Sequence, residues 1–182
     1  MKKIYTLTIL LLFGYQINAQ NKFFTKTGSA SFYSHSPLED IKAENNQVVA
    51  IIDNQTGKFK ILMLMQSFKF KKALMQEHFN ENYVESDKYP KAIYTGVIQD
   101  FSEINSNTKK ITFKGMLSIH GKKKEKLITA NAVVTDEEIH LTGIFMLKIA
   151  DFNIKIPSLV ANKIAKEMKI EFNVHLKPYN KK

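Results

Sequence analysis

The sequence predicts an all-β protein, an antiparallel barrel of about eight strands with one or two short helices. Apolar and polar residues alternate with a period of two through several long segments, as they do in half-buried strands. Turn-forming residues separate these segments at the short spacing of an up-and-down sheet. Cysteine is absent, so disulfides and cysteine-bound metals are excluded and one hydrophobic core has to stabilise the domain.

The first segment of the chain has the pattern of a secretory signal. Two lysines precede a short apolar stretch over residues 4–15, and Ala19 provides a small residue for cleavage. The stretch is shorter than the roughly 20 apolar residues of a membrane-spanning helix. We therefore expect residues 1–19 to be a cleaved signal peptide, with an uncleaved anchor as the alternative. Residues 20–182 form one domain, periplasmic or secreted and without a lipobox cysteine.

Three long segments share one strand pattern. Residues 168–176 alternate strictly between apolar and polar side chains, and residues 110–120 and 139–149 repeat the alternation. Because successive side chains of a strand point to opposite faces, each segment presents one apolar face. Gly115 and Gly143 stand in the apolar rows, where a glycine permits a bend or a close approach.

Polar clusters indicate the turns between further strands. Residues 44–47 and 53–57 bracket a predicted strand at 48–52, and residues 102–109 and 135–138 mark two more turns. Period alone does not separate a sandwich from a barrel. Strand length favours a barrel, because closure removes exposed edges and about eight strands can enclose one small ligand.

Two segments break the strand pattern and predict short helices. Residues 72–80 place apolar residues at i,i+4 spacing. Residues 159–166 follow Ser158, which we interpret as an N-cap. No internal repeat or second domain is indicated.

The residues that could carry chemistry do not form a known catalytic or metal-binding pattern. His78 lacks the HExxH spacing, and His120 and His140 stand on polar rows, so we expect them to point away from the interior. His35 lies between two serines without a G-x-S-x-G elbow. We expect no metal site, no cofactor, no catalytic residue and no enzymatic activity. The carboxylates near the first helix are expected to organise the loop 80–90; they are Glu77, Glu81, Glu85 and Asp87.

The formal net charge is +10, and two of these charges belong to the signal segment. All 27 basic residues are lysines. Sequence-reading nucleic-acid proteins depend on the arginine fork, so no nucleic-acid partner is expected. A lysine-rich surface suits an anionic membrane surface, although an ordinary solvated surface has the same composition.

Four segments resemble the YceI-like family. Residues 75–92 (MQEHFNENYVESDKYPKA) carry the most specific likeness, and residues 28–41, 115–121 and 150–154 correspond in the same order. The resemblance implies a lipocalin-like barrel with a long apolar channel, exported to the periplasm and associated with polyisoprenoid-type lipids. It implies no catalytic residue. The lysine-rich stretch 122–126 departs from the family and is expected at the barrel mouth, where it would accept an anionic headgroup.

We therefore expect a binding protein that holds an apolar lipid, such as a polyisoprenoid or a quinone, inside the barrel. An exported interaction module with a packed core, or a lipid isomerase or cyclase, are the alternatives, and a homodimer is left open. The side chains expected to line the lipid are Met63, Met65, Phe113, Leu117, Phe145, Leu147, Phe172 and Val174.

Overall fold

The protein is described by a computed structural model over residues 22–179; the expected signal peptide lies outside these residues. The one α-helix in this range, α1, spans Ala73–His78 and continues as a π-helical turn over Phe79–Tyr83. The strands are β1 Lys22–His35, β2 Asp40–Asp53, β3 Lys58–Leu64, β4 Lys69–Phe70, β5 Lys91–Ile98, β6 Lys110–Ile119, β7 Lys122–Val134, β8 Ile139–Lys148 and β9 Glu167–Pro178.

Eight of the strands form a closed antiparallel barrel, which confirms the predicted fold. The order around the barrel is β1-β9-β8-β7-β6-β5-β3-β2, and β1 pairs with β2 to close it. The short β4 adds to β2 outside this circle. Closure leaves no free sheet edge among these eight strands, which is how an antiparallel barrel avoids edge-to-edge association.

The two ends of the barrel differ. At the end that we call the closed end, the connections 54–57, 99–109 and 135–138 join the strands, and Phe101 and Ile104 of the second connection pack against the core. At the opposite end, the open end, the longer connections 65–90 and 149–166 carry α1 and several 3-10 turns. The strand interiors near the closed end are filled by one cluster of buried side chains, including Phe23, Ile52, Phe59, Ile111, Phe113, Ile139, Leu141 and Leu176.

The predicted turn at residues 44–47 is wrong, because β2 runs through it. Asn45 is fully buried beside a register shift in the β1–β2 ladder. Its Nδ2 donates to the Leu64 carbonyl at 3.0 Å, and its Oδ1 accepts from the Gln47 amide at 2.8 Å. Asparagine favours turns because its side chain can form hydrogen bonds with the nearby backbone. Here the same kind of hydrogen bond stabilises the register shift in the β1–β2 ladder.

The predicted second helix over residues 159–166 is also wrong. Only Ser158–Val160 forms a 3-10 turn, and Pro157 occupies the N-cap position, where no side chain caps the turn. The Ala165 amide donates instead to Ser34 Oγ at 2.9 Å, and Ser34 is fully buried. This tertiary bond, together with β-branched Val160 and Ile164, outweighs a weak helical pattern. Between residues 22 and 179, no helix has the length and apolar character to span a membrane.

Candidate functional site

A cavity of about 430 Å³ occupies the open end of the barrel. All of its lining residues except six are apolar, and the six are Ser31, Glu39, Lys72, His78, Tyr83 and Lys163. Lys72 and Leu74 in the lining are exposed, so the cavity opens to solvent beside α1. Its size falls within the range of about 300–1,000 Å³ that is typical of small-molecule sites.

One wall of the cavity is built from four phenylalanines. Phe32 of β1 lies 5.5 Å from the Phe68 ring, 5.6 Å from Phe70 and 5.5 Å from Phe79, measured between ring centroids. Phe79 in turn lies 5.0 Å from Phe70. Edge-to-face and offset aromatic pairs at these separations are favourable beyond their buried area. The connection 65–90 is therefore fixed to β1 by its aromatic residues, and α1 covers this side of the cavity.

The opposite wall combines β8 and β9 with the connection 149–166. Phe145 and Leu147 of β8 and Met168 and Ile170 of β9 point into the cavity. Above them, the lining residues of the connection are Ile149, Ile154, Ile156, Val160, Lys163 and Ile164. Methionines on several sides, Met63, Met65, Met75 and Met168, make the walls adaptable, because an unbranched thioether side chain adjusts to irregular shapes.

Tyr94 lies in the packed core below the cavity and is nearly fully buried. Its hydroxyl lies 2.7 Å from the Phe113 carbonyl oxygen and 3.0 Å from the Lys126 carbonyl oxygen, so its proton has an acceptor. Burial raises the pKa of Tyr94 well above its usual value, because the phenolate would be desolvated. Tyr94 therefore places no charge in the core beneath the cavity.

Two of the charged lining residues form an ion pair at the side of the cavity that opens to solvent beside α1. Lys72 Nζ lies 2.9 Å from Glu39 Oε1, which ties α1 to the turn between β1 and β2. Lys163 enters from the connection on the other side. Glu39 is the only carboxylate among the described lining residues, so the cavity does not present the paired carboxylates that acid–base catalysis uses. Apolar walls with a polar mouth suit a chain-like apolar ligand that carries a polar head.

Five of the eight side chains that we expected to contact a lipid line the cavity: Met63, Met65, Leu117, Phe145 and Leu147. The other three lie in the packed part of the barrel. Phe113 packs edge-on against Phe59 at 5.0 Å. Phe172 covers Gly143 of β8, and Val174 fills the space beside Gly28 of β1.

The walls contributed by α1 and by residues 154–164 were not predicted from the sequence. The i,i+4 apolar pattern of α1 was visible, and it indicated a face that had to be covered. The covering surface could not be inferred, because it depends on how two loops fold over the end of a barrel.

His120 does not line the cavity, but its side chain is buried among polar partners at the tip of the β6–β7 hairpin. The side chain is only 11% exposed, and its Nε2 lies 2.7 Å from Glu85 Oε2. Its Nδ1 lies 3.1 Å from the Phe152 carbonyl oxygen. Asp87 accepts a hydrogen bond from Gln66 Nε2 at 2.9 Å. Glu85 and Asp87 thus organise this connection through hydrogen bonds, and the histidine partner of Glu85 was not predicted.

The lysines of residues 122–126 begin β7 at the open end but do not line the cavity. Lys126 Nζ lies 3.7 Å from Asp151 Oδ2. β7 pairs with β8 only over Asn131–Val134, and nearer the open end the turn Ile149–Phe152 packs against β7. Lys126 therefore helps to hold this turn, and the cations in the cavity lining are Lys72 and Lys163 instead.

Comparison with known proteins agrees with this architecture. The model of the YceI-like domain family matches residues 15–176. No match to the chain is found among curated proteins. A polyisoprenoid-binding domain from Saccharophagus degradans, implicated in plant cell wall breakdown, superimposes with a TM-score of 0.75 at 13% identity, covering 87% of this chain and 99% of that chain.

Two further solved structures share the fold. Burkholderia cenocepacia BcnA has a TM-score of 0.66 at 17% identity, covering 82% of this chain and 94% of its own. The YCEI protein of Campylobacter jejuni has a TM-score of 0.57 at 14% identity, covering 99% and 100%. At these identities the likeness concerns the fold.

Proposed function

The chain belongs to the YceI-like family, and from this membership we propose that it is an exported carrier that holds an apolar, polyisoprenoid-type lipid or a quinone in the open-end cavity. The polyisoprenoid-binding domain of Saccharophagus degradans, which has the same fold, supports this class of ligand. We propose no catalytic step, no cofactor and no nucleic-acid partner.

The observation that carries the proposal is the division of the barrel into a packed half and a hollow half. Burying a hydrocarbon chain gains roughly 25 cal/mol for each Å² removed from water. An apolar cavity of about 430 Å³ supplies such area without opening the core. The alternative of a packed interaction module needs no such space. The isomerase or cyclase alternative would be favoured by a buried titratable group on the walls, and the buried Tyr94 does not reach the lining.

The mouth supports a second part of the proposal, namely docking on an anionic membrane surface. Three leucines around it are strongly exposed: Leu38 at 61%, Leu74 at 60% and Leu159 at 88%. Each is adjacent in sequence to a lining residue or is one itself, and Lys72 and Lys163 also belong to the lining. Exposed apolar side chains with neighbouring lysines match an interface of acyl chains and anionic headgroups. The lipid would enter tail first, and its head would remain near the two lysines.

Two substitutions on neighbouring residues of β8 test the carrier proposal. Phe145 lines the cavity, whereas Ile144 is 59% exposed on the outer face. Phe145→Asp places a charge among apolar walls, and Ile144→Asp places the same charge in water. With a fluorescent farnesyl analogue as the probe and circular dichroism to verify folding, Phe145→Asp should lose binding and Ile144→Asp should retain it. Equal binding by two folded variants would contradict a ligand in this cavity.

A further inference from the structure

Three potential metal ligands meet on the outer face of the barrel, near the closed end. One ligand atom from each of Glu138, His140 and His175 lies within 4.8 Å of the other two. We propose that these residues bind a divalent transition-metal ion of the zinc class, with two imidazoles and one carboxylate as protein ligands. The site is separate from the cavity, and this proposal does not depend on lipid binding.

Strand register brings the two histidines together. His140 of β8 and His175 of β9 are directly opposite in the antiparallel ladder, so their side chains leave the sheet on the same face. This face is the outer one, because the neighbours Leu141 and Val174 are buried inside. The imidazole rings are stacked with centroids 3.7 Å apart and planes at 14°. The backbone that carries both ligands is therefore fixed by the ladder.

The carboxylate is already bonded to one of the histidines. Glu138 Oε1 lies 2.9 Å from His175 Nδ1. The carboxylate and the imidazole are therefore already adjacent in the structure. A metal ion bound here would take the place of the proton that lies between His175 and Glu138.

Asn173 orients the remaining ring. Its Oδ1 lies 2.9 Å from His140 Nε2 and, as an acceptor, holds the proton on that nitrogen. His140 Nδ1 is then the nitrogen with a free lone pair. A partner that fixes the tautomer and the ring orientation is the usual support of a metal-bound histidine. Asn173 stands two residues before His175 on the same strand face, so it belongs to the same outer patch.

The distances favour a small ion of the zinc type. Zinc binds imidazole nitrogen at about 2.0–2.1 Å, which places two ligand atoms of a tetrahedral site roughly 3.4 Å apart. Ligand atoms within 4.8 Å reach this spacing by rotating exposed side chains. Two nitrogens and one oxygen suit zinc, cobalt, nickel or copper, whereas calcium and magnesium prefer oxygen alone. Three protein ligands leave one position for water.

The positive charge of Lys177 repels a metal cation at this site. Lys177 lies two residues beyond His175 on the same strand face and lines the same surface depression as Glu138. Lys177 therefore competes with a metal for this carboxylate, and removing its charge should strengthen metal binding.

Calorimetric titration of the tag-free mature protein with zinc chloride at pH 7.5 tests the site. We expect one equivalent to bind, and His140→Ala and His175→Ala to abolish binding. Asn173→Ala should weaken it by about 10- to 100-fold, and Lys177→Gln should strengthen it. His35→Ala is the matched control, since His35 forms a comparable exposed pair with Asp40, and it should bind as the parent does.

Cobalt chloride provides an independent readout, because its visible absorption reports tetrahedral coordination. Failure of the parent protein to bind either ion would overturn the proposal. So would full binding by the folded His140→Ala and His175→Ala variants.

Discussion

His120 and Glu85 are in direct contact at the open end of the barrel, with His120 Nε2 2.7 Å from Glu85 Oε2. Both residues have left-handed backbone, with φ of 49° at His120 and 45° at Glu85. Non-glycine residues in this region cost about 1–3 kcal/mol unless the surroundings hold them there. His120 Nδ1 also bonds to the Phe152 carbonyl, and the Tyr89 ring packs edge-on against the imidazole at 4.5 Å.

This arrangement, which we call the His120 clamp, comprises His120, Glu85, Tyr89 and Phe152. It joins the β6–β7 hairpin to the connections 65–90 and 149–166. Ile119 and Val84, the sequence neighbours of His120 and Glu85, line the cavity. The clamp therefore connects three segments that contribute residues to the cavity walls.

Removing the clamp histidine should destabilise the protein. His120→Ala leaves the buried Phe152 carbonyl unpaired, which costs about 1–3 kcal/mol. Urea unfolding measures this loss. His35→Ala is the control, because the His35–Asp40 pair is exposed, and its effect should be negligible. Equal stability of the His120→Ala variant and the parent would contradict a role of the clamp in holding the open end.

The clamp also predicts a pH dependence of stability. The hydrogen bond from His120 is the main cause that lowers the pKa of Glu85 in the folded protein. A carboxylate with a lowered folded pKa contributes stability above its unfolded value of about 4.3, and this contribution is lost as the pH falls through the folded pKa. The melting temperature should therefore fall less steeply between pH 7 and pH 3 for Glu85→Gln than for the parent protein. Parallel profiles would show that Glu85 does not contribute.

Asn45 should be far more important for stability than its neighbour. Asn45→Ala removes a fully buried side chain and leaves the Leu64 carbonyl and the Gln47 amide without their side-chain partner, and we expect a loss of about 1–3 kcal/mol. Asn46 is exposed, so Asn46→Ala should change stability by less than about 0.5 kcal/mol. Chemical denaturation of both variants distinguishes them, and similar losses would contradict the structural role of Asn45.

The packed and hollow halves should respond in opposite ways to truncation. Phe113→Ala removes a fully packed ring and should cost about 3–5 kcal/mol, with little effect on binding of the farnesyl probe. Phe145→Ala should cost less stability, because one side of the ring already faces the cavity, and should weaken probe binding. Denaturant unfolding and probe titration give the two readouts. The reverse pattern would place the ligand in the other half of the barrel.

Membrane docking should depend on the mouth leucines. Leu159→Asp should reduce sedimentation of the protein with phosphatidylglycerol vesicles, and Lys163→Glu should reduce it further. Leu127→Asp is the matched control, since Leu127 is 61% exposed on the barrel wall. Binding should weaken with salt, because exposed charges are screened. Docking through this mouth would be contradicted if the Leu159→Asp and Lys163→Glu variants sedimented as the parent protein does. It would also be contradicted if the parent bound equally well to vesicles made of phosphatidylcholine alone.

The barrel was predictable from sequence because each long strand carries its own period-two pattern, as in residues 168–176. The errors arose where a residue's role depends on distant parts of the chain. Asn45 is a residue type that favours turns, but here its side chain supports an irregularity within a strand. The hydrogen bonds of His120 could not be predicted, because its partners Glu85 and Phe152 lie 35 and 32 residues away in the sequence.

The candidate site shows the same limit. The apolar rows indicated which side chains point inward, but they could not show where the interior is filled. That depends on local packing, such as Phe172 over Gly143. The pairing of His140 with His175 follows from the β8–β9 register, which no spacing in the sequence encodes. Family resemblance supplied the class of ligand, and the cavity is the place that we propose for it.

The most direct measurement is native mass spectrometry of the protein expressed with its own residues 1–19, the expected signal peptide, and isolated from the exported fraction. We expect a bound species of prenyl or quinone mass in the parent protein and in Ile144→Asp, and none in Phe145→Asp. A ligand-free parent protein, or a Phe145→Asp variant that carries the same species as the parent, would contradict lipid binding in the cavity.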